Sequence, residues 1–432
     1  MRIAIIGSGI SGLTTAYKLC GAHDITLFEA NDYVGGHTNT VTVEETGKTL
    51  AVDTGFIVFN DRTYPNFIAL LDELGVQSDP TSMSFSIRCD DNGLEYNGTS
   101  INGLFAQRAN LFRPCFYRML NDILRFNREA VEILETDSEE TTTVAEYLAA
   151  KRYSRQFADH YLLPMGAAIW SCPPETFAKF PMRFIAEFYH HHGLLSIRNR
   201  PTWRVVRGGS SQYVQAMTRR FRQRIRLNCP VSRVERFTNH VELTPTGAES
   251  ERFDEVVFAC HSDQALRMLG DASPVERELL GAFPYGRNVA VLHTDTSVLP
   301  KRKRAWASWN YHIRQQGEQQ AAVTYNMNIL QHLNSSQVYC VTLNETDLID
   351  PARVIRRINY SHPIYTTERA AAQRRHAEVI RSNRTSFCGA YWGNGFHEDG
   401  VNSALAVCKA YERRSIHVNG SRQGDLATAG AV

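Results

Sequence analysis

The chain has 432 residues, 43% hydrophobic and 21% charged, a length that suggests about two or three domains with room for a buried cofactor. Its 47 basic and 45 acidic residues leave a formal charge of +2, which offers no global field for nucleic acid. No apolar run approaches the roughly 20 residues that span a bilayer, so no transmembrane segment is expected.

At the amino end, Ile3 to Ile6 reads as a buried strand running into Gly7, Gly9 and Gly12, then a helix through Leu13, Ala16, Tyr17 and Leu19. A second strand, Asp24 to Phe28, delivers Glu29 and Ala30. This is a dinucleotide-binding pattern. Gly7 makes the tight turn, Gly9 lets a pyrophosphate approach the backbone, and Gly12 lets helix and strand pack closely. Glu29 is expected to accept hydrogen bonds from a ribose hydroxyl, while the helix start at Ile10 and Ser11 turns unpaired N–H groups toward phosphate. Gly35, Gly36 and His37 follow, with a short strand pair near Thr38 to Val43 and Thr49 to Val52. Thr54 and Gly55 close the second of these strands, where a residue without a side chain lets a flat ring lie against backbone.

Residues from about 61 to 200 are mostly helical by period: Tyr64 to Leu74, Phe116 to Leu134, Thr143 to Ala150, Arg155 to Tyr161 and Phe184 to His192. Leu104 to Leu134 mixes aromatic and aliphatic residues with Arg108, Arg113, Arg118, Arg125 and Arg128. Such a stretch suits either a buried amphipathic helix or an anionic membrane surface. His190, His191 and His192 are adjacent on one helix and point in different directions, so no metal is expected.

Arg207-Gly208-Gly209-Ser210 introduces a helix from Gln212 to Phe221, followed by strands at Ile225 to Leu227, Ser232 to Phe237, His240 to Thr244 and Glu255 to Ala259. Alternating strands then run from about 285 to 345: Asn288 to His293, Ala305 to Tyr311, Ala321 to Met327 and Gln337 to Leu343. They read as an antiparallel sheet with one polar and one apolar face. Gly389 to Ala404 is the densest motif: a strand end, a Gly-rich aromatic loop, and a helix expected from Val401 to Tyr411. The first N–H groups of that helix would stabilise the negative charge of a reduced flavin. Ser415 to Val432 has few large apolar groups and reads as a disordered tail. Nine singly scattered cysteines without CxxC indicate reduced thiols, and a chain opening on a strand reads as lacking a secretory leader; both point to the cytoplasm.

The expected fold is α/β. A discontinuous Rossmann-like FAD-binding domain is built from 1–60, 204–284 and 376–414, with an inserted α+β substrate domain from 61–203 and 285–375 holding an antiparallel or mixed sheet. Small residues after Glu29, the Gly55 strand end and the carboxyl-terminal motif favour FAD over NAD. A second GxGxxG is missing and Ala30 stands where an Arg would meet a 2′-phosphate, which argues against NADP.

These runs resemble the flavin-containing amine oxidase superfamily, which includes protoporphyrinogen oxidase and phytoene desaturase. The resemblance spans about residues 1 to 410 and is carried by Gly7–Gly12, Glu29, Gly35–Thr38, Asp53–Asn60, Thr63–Phe67, Arg207–Gly209 and Gly395–Gly400. Within it, the chain is similar to a bacterial NAD/FAD-binding group, some of whose members are linked to modification of phospholipid acyl chains. The resemblance implies Val231 near the adenine, with Gly389 and Val401 against pyrophosphate and flavin. Two positions depart from it. His37 stands where an Arg is common, and Phe396 stands where amine oxidases place Tyr or Trp.

Flavin carries the redox chemistry, so no acid/base constellation is required. His397 and Glu398 are the polar candidates beside the ring, with Trp392 a candidate for direct chemistry. Phe396, Tyr391 and Arg204 are candidates for substrate contact. The leading reading is hydride removal from a hydrophobic substrate such as a phospholipid acyl chain, with peripheral contact at the inner face of the membrane. The alternatives are an amine oxidase releasing hydrogen peroxide, and a flavoprotein without turnover. The sequence assigns no electron acceptor.

Overall fold

A computed structural model describes residues 1–45, 47–135, 142–196, 199–314 and 320–420, apart from the side chains of 367 and 413–420. The chain forms two units: Met1–Gly36, Val214–Phe283 and Arg369–Val432 in the first, His37–Tyr213 and Pro284–Glu368 in the second.

The first unit is built on a parallel sheet ordered Ile225–Arg226, Asp24–Phe28, Arg2–Ile6, Glu255–Phe258, Thr385–Phe387. Ile3, Ala4, Ile5, Val256, Val257 and Phe258 are wholly buried, as expected of parallel strands covered on both faces. From the central strand the chain reaches Asp24–Phe28 on one side, and Glu255–Phe258 flanks it on the other. The carboxyl end of Arg2–Ile6 is therefore a topological switch point, the place where such sheets bind ligands. A three-stranded antiparallel meander, Val231–Arg236, Val241–Pro245 and Glu251–Phe253, completes the sheets of this unit. The helix His397–Gly420 starts four residues before the expected Val401 and runs into the expected tail, whose remaining residues, 421–432, lie outside the described ones.

The second unit holds a seven-stranded sheet ordered Val354–Pro363, Tyr285–His293, Cys340–Leu343, Val323–Asn326, Trp309–Ile313, Phe85–Cys89, Glu95–Asn97. The sheet is mixed rather than antiparallel throughout, because Trp309–Ile313 pairs parallel with Phe85–Cys89. Three of its strands fall where none was expected: Phe85–Cys89 and Glu95–Asn97 inside the stretch read as helical, and Val354–Pro363 beyond the alternating segment. The strand expected from Ala305 to Tyr311 starts later, as Trp309–Ile313, after a 3-10 turn at Lys303–Ala305. Among the helices, Pro114–Glu135 buries Phe116, Met119, Phe126, Ala130 and Ile133 at helical spacing. Arg155–Phe157 continues as a π-turn, Ala158–Leu162, into Leu163–Trp170.

Residues 37–60 and 204–213 belong to this second unit, not with the nucleotide-binding pieces to which the sequence boundaries assign them. Asp53 supplies the physical link. It is fully buried and accepts hydrogen bonds from Thr40 Oγ1 at 2.6 Å, Ser210 N at 2.9 Å and Ser210 Oγ at 2.8 Å. The hairpin Thr40–Glu45 and Lys48–Asp53 is thereby fastened to the turn after strand Trp203–Val206. Gly209, at φ +91°, sits so close that a Cβ would come within 2.8 Å of Thr40 Cγ2. Among the described residues no helix is long and apolar enough to cross a membrane.

Candidate cofactor site and aromatic loop

Each glycine of the amino-terminal motif answers to a different neighbour. Gly7 has φ +103°, and a Cβ on it would lie 2.6 Å from Ala259 O. A Cβ on Gly12 would fall 1.9 Å from Gly7 O, so only glycine lets the helix Ile10–Leu19 start against the strand end. Gly9 differs from both. It is the helix N-cap at φ −64°, and nothing lies within 4 Å of where its Cβ would be. Gly9 caps the helix, where Leu13 N to Gly9 O at 2.9 Å is the first rung and the preceding N–H groups lie outside the ladder. That is the geometry of a pyrophosphate cradle.

Gly35 and Gly36 belong to the same cradle. Gly35 N donates to Ser8 Oγ at 3.1 Å, and a Cβ on Gly36 would come 3.1 Å from Gly9 Cα. Their smallness thus serves close backbone packing on the motif itself. Glu29 is held firmly: Oε2 accepts from Ser8 N at 2.9 Å and from Ser8 Oγ, and Oε1 accepts from Asn31 N and Nδ2, both at 2.9 Å. A ribose hydroxyl would have to share this carboxylate with Ser8 and Asn31. Ala30 is exposed beyond it. Val231 opens the strand that follows Cys229, whose N–H donates to Glu29 O at 2.8 Å.

The carboxyl-terminal motif folds onto this motif within the same unit. A Cβ on Gly400 would come 2.6 Å from Ile10 Cγ2 and 3.0 Å from Ser11 Oγ. Two helix N-termini therefore lie side by side, those of Ile10–Leu19 and His397–Gly420. Each end carries about half a positive charge from its peptide dipoles, so their pairing suits a cofactor with several anionic groups. Val401 is the fifth residue of its helix, so its N–H belongs to the helical ladder. The groups at the helix start are those of His397, Glu398 and Asp399, a correction to the expected start at Val401.

The aromatic loop between strand and helix is shaped by residues the sequence motif did not include. Gly389 N donates to Ser403 Oγ at 2.9 Å, and a Cβ on Gly389 would strike the Tyr391 ring. Arg369, 2% exposed, donates to the carbonyls of Tyr391 and Gly393, and Gln373 Nε2 donates to the same two. Trp392 lies on the His376 ring at 4.1 Å and against Phe283 at 5.3 Å; Tyr391 lies 5.0 Å from Phe283. One face of the indole is thus taken by an imidazole, which favours packing over direct chemistry for Trp392. Asp399 Oδ2 accepts from Phe396 N at 2.9 Å, and its carboxyl packs against Gly393, where a Cβ would be 2.2 Å from Oδ1. Burial of that carboxyl pushes its pKa up to about 6, although part of the residue reaches solvent. Burial also drives His397 down to about 3, so it is neutral at working pH and a poor base. Phe396 is half-buried between them, and Glu398 is buried in the same turn.

In the second unit, Gly55 does not leave its space to a ring. The place of its Cβ is filled by His37 O at 2.2 Å, with Tyr360 Oη at 3.0 Å, so the missing side chain serves backbone packing. Thr54 Oγ1 donates to Asn39 O at 2.8 Å and lies 3.3 Å from Tyr360 Oη. His37 stacks on Tyr360 at 4.7 Å with His362 at 5.2 Å. Arg204 is engaged by Ser78, through Oγ and O at 2.8 Å, and Arg207 by Asp79. These arginines brace the strand pair Ser78–Pro80 and Trp203–Val206, which gives Arg204, a candidate for substrate contact, a structural role.

With the geometry in place, comparison with known proteins adds the following. Residues 10–342 match the family model described as flavin containing amine oxidoreductase. A flavin-containing amine oxidase of Oncorhynchus mykiss is 25% identical over 297 residues, 66% of this chain and 55% of that protein. Matches to curated relatives span between 9% and 55% of those proteins' own lengths. Cyclohexylamine oxidase from Brevibacterium oxydans superposes with a TM-score of 0.69 at 18% identity, over 95% of this chain and 99% of that one. A CLA-producing fatty acid isomerase from P. acnes gives 0.61 at 14% identity, over 95% and 98%.

Proposed function

The chain belongs to the flavin-containing amine oxidoreductase family, and from that premise we propose an FAD-dependent oxidoreductase that takes hydride from an uncharged, hydrophobic substrate, an unsaturated acyl chain. FAD, when bound, supplies a two-electron centre that accepts hydride. Gly7, Gly9, Gly12, Gly35 and Gly36 would hold its phosphates, and the start of His397–Gly420 would stabilise negative charge on it.

The observation that carries this reading is the chemistry of Gly395–Gly400. Its aromatic residue is a phenylalanine without a hydroxyl, and its histidine is kept neutral by burial. Its aspartate is turned inward onto the Phe396 and Asn394 N–H groups of its own loop. Apart from the Glu398 carboxylate, the segment offers an apolar wall and little to pair with a substrate charge. Hydride leaves most readily from a carbon next to an existing double bond, and the neighbouring carbon then releases a proton to give a conjugated diene. Glu398 is the residue assigned to take that proton, since His397 is too weak a base. The fatty acid isomerase of the same fold acts on a substrate of this class.

Anaerobic mixing with unsaturated phospholipid tests the reading. Bleaching of the flavin by lipid, slowed at least tenfold in Glu398→Gln, is expected. Bleaching by a primary amine and not by lipid would overturn it. That outcome would establish the second reading, amine oxidation, which the amine oxidase relatives favour.

A further inference from the structure

Five of the eleven large apolar side chains exposed among the described residues fall within one short segment of the second unit: Ile101, Leu111, Phe112, Tyr117 and Leu124. Phe112 is 87% exposed and Ile101 78%, far above the rest. The other six are scattered along the chain at 37–46%. A soluble surface normally carries such groups singly, and a cluster of them marks an interaction site.

The segment is ordered by its own contacts. Ile101 starts the turn Ile101–Leu104, Leu111 and Phe112 end the 3-10 turn Arg108–Phe112, and Tyr117 and Leu124 lie on the helix Pro114–Glu135. Tyr117 Oη donates to Leu111 O at 3.1 Å, and Phe105 packs on Phe116 and Tyr117 at 5.7 and 6.1 Å. The turns are therefore clipped to the helix. Along the helix, Tyr117, Asn121, Leu124 and Arg128 follow at intervals of four, three and four, a single stripe. It lies opposite the buried Phe116, Met119, Phe126 and Ile133. The stripe continues into a groove of about 460 Å3 with Leu124 and Leu195 in its lining and Arg128 beside them.

Charge identifies the occupant. Residues 101–128 hold five arginines against one acid, Asp122, in a chain whose net charge is only +2. Asp122 is buried and accepts from Ser154 N, so it does not offset the surface. Arg125 turns to Glu129. Arg108 hydrogen-bonds to Phe105 O and Asn102, and Arg113 to Asn110, all neutral groups, so among the described residues no acid pairs with either charge. Arg118 and Arg128 are exposed. Bulky apolar tips set among uncompensated arginines suit a surface that is anionic outside and hydrocarbon beneath.

We propose that the Ile101–Arg128 face docks on a bilayer surface carrying anionic headgroups, with Ile101 and Phe112 inserted below them. The face belongs to the second unit and the loop that carries the substrate reading to the first, and docking is measured without turnover. Cosedimentation of the full-length holoprotein with phosphatidylcholine vesicles, with and without phosphatidylglycerol, is the test. Binding is expected only with phosphatidylglycerol, weakening as salt shortens the screening length. The double variant Arg118→Glu/Arg128→Glu is expected to bind at least about 25-fold more weakly, at about fivefold per lost arginine. Ile101→Ser/Phe112→Ser is expected to lose about tenfold or more while keeping flavin content and Tm. Equal binding to both vesicle types, no binding at low salt, or wild-type binding by both variants would overturn the proposal. A dimer that Ile101→Ser/Phe112→Ser dissociates, with no vesicle binding, would overturn it too, by assigning the face to a second copy.

Discussion

The two units distribute their structural signal differently. In the parallel-sheet unit close-packed glycines gather in short motifs: Gly7, Gly12, Gly36, Gly389 and Gly400 each stand where a Cβ would meet another group at 3.1 Å or less. The mixed-sheet unit has such glycines too, Gly55, Gly166 and Gly209, but they are scattered, and its largest clusters are aromatic. Trp170 alone meets the rings of Phe177, Phe180, Phe184, Phe188 and Tyr365. Close backbone approach tolerates no substitution, whereas a cluster of rings tolerates many provided volume is kept. The first unit therefore carries a short readable motif, and the second carries only a composition.

Substitutions should separate the units accordingly. The largest effect is expected from Gly12→Ala, because both atoms nearest the added Cβ are backbone atoms of Gly7. The cost should exceed about 3 kcal/mol, leaving little folded protein by circular dichroism. Replacement of one ring of the second unit's cluster by a smaller apolar side chain, Phe184→Leu, should cost less; the reverse order would break the comparison. Next is Arg369→Met, which strips a buried guanidinium from the carbonyls of Tyr391 and Gly393 and from the field of Asp399. A loss of about 3 kcal/mol in urea unfolding is expected.

Each unit also holds a carboxyl that burial raises to about 6, Asp399 in the first and Asp53 in the second. The unfolded chain binds fewer protons than the folded one between about 3.8 and 6, so this contribution is full below 3.8 and is lost as pH rises through 6. Buried histidines act in the opposite sense. His397 is lowered to about 3, and His376, His192 and His293 to about 4, so their contribution is full above 6.5 and lost on acidification through those values. Asp53→Asn and Asp399→Asn should each steepen the fall in urea midpoint between pH 6 and 4, by up to about 3 kcal/mol for the wholly buried Asp53. A shallower fall would contradict the assignment. The smallest effect is expected from Tyr360→Phe, which removes one hydroxyl 3.3 Å from Thr54 Oγ1 and should cost about 1 kcal/mol.

What the sequence disclosed follows the same division. The strand–glycine–helix start and Glu29 at its strand end are local patterns that stand where their spacing placed them, whereas the helix expected from Val401 already begins at His397. Gly55 misled because a missing side chain does not say who uses the space; here it is His37 O. Arg369 and Gln373 escaped notice because residues four apart on an alanine-rich helix read as a solvated face, and only the fold brings them onto the aromatic loop. Strand Val354–Pro363 carries two arginines, a histidine and an asparagine on an edge that is exposed or half-buried at every residue but Tyr360, so it lacks the clean alternation that identifies a strand. Phe85–Cys89 is buried or half-buried throughout and lies between helices, where helical period dominates the neighbourhood.

Titration of FAD into the flavin-free full-length chain and its Gly9→Ala variant, followed by visible absorbance and Tm, tests the central claim most directly. Gly9 has an ordinary φ and open space at its Cβ, so the variant should fold as the wild type does, within about 0.5 kcal/mol. Its FAD affinity should fall at least about tenfold, a difference of about 1.4 kcal/mol. Unchanged FAD affinity in a folded Gly9→Ala protein would contradict the cradle assigned to the paired helix ends.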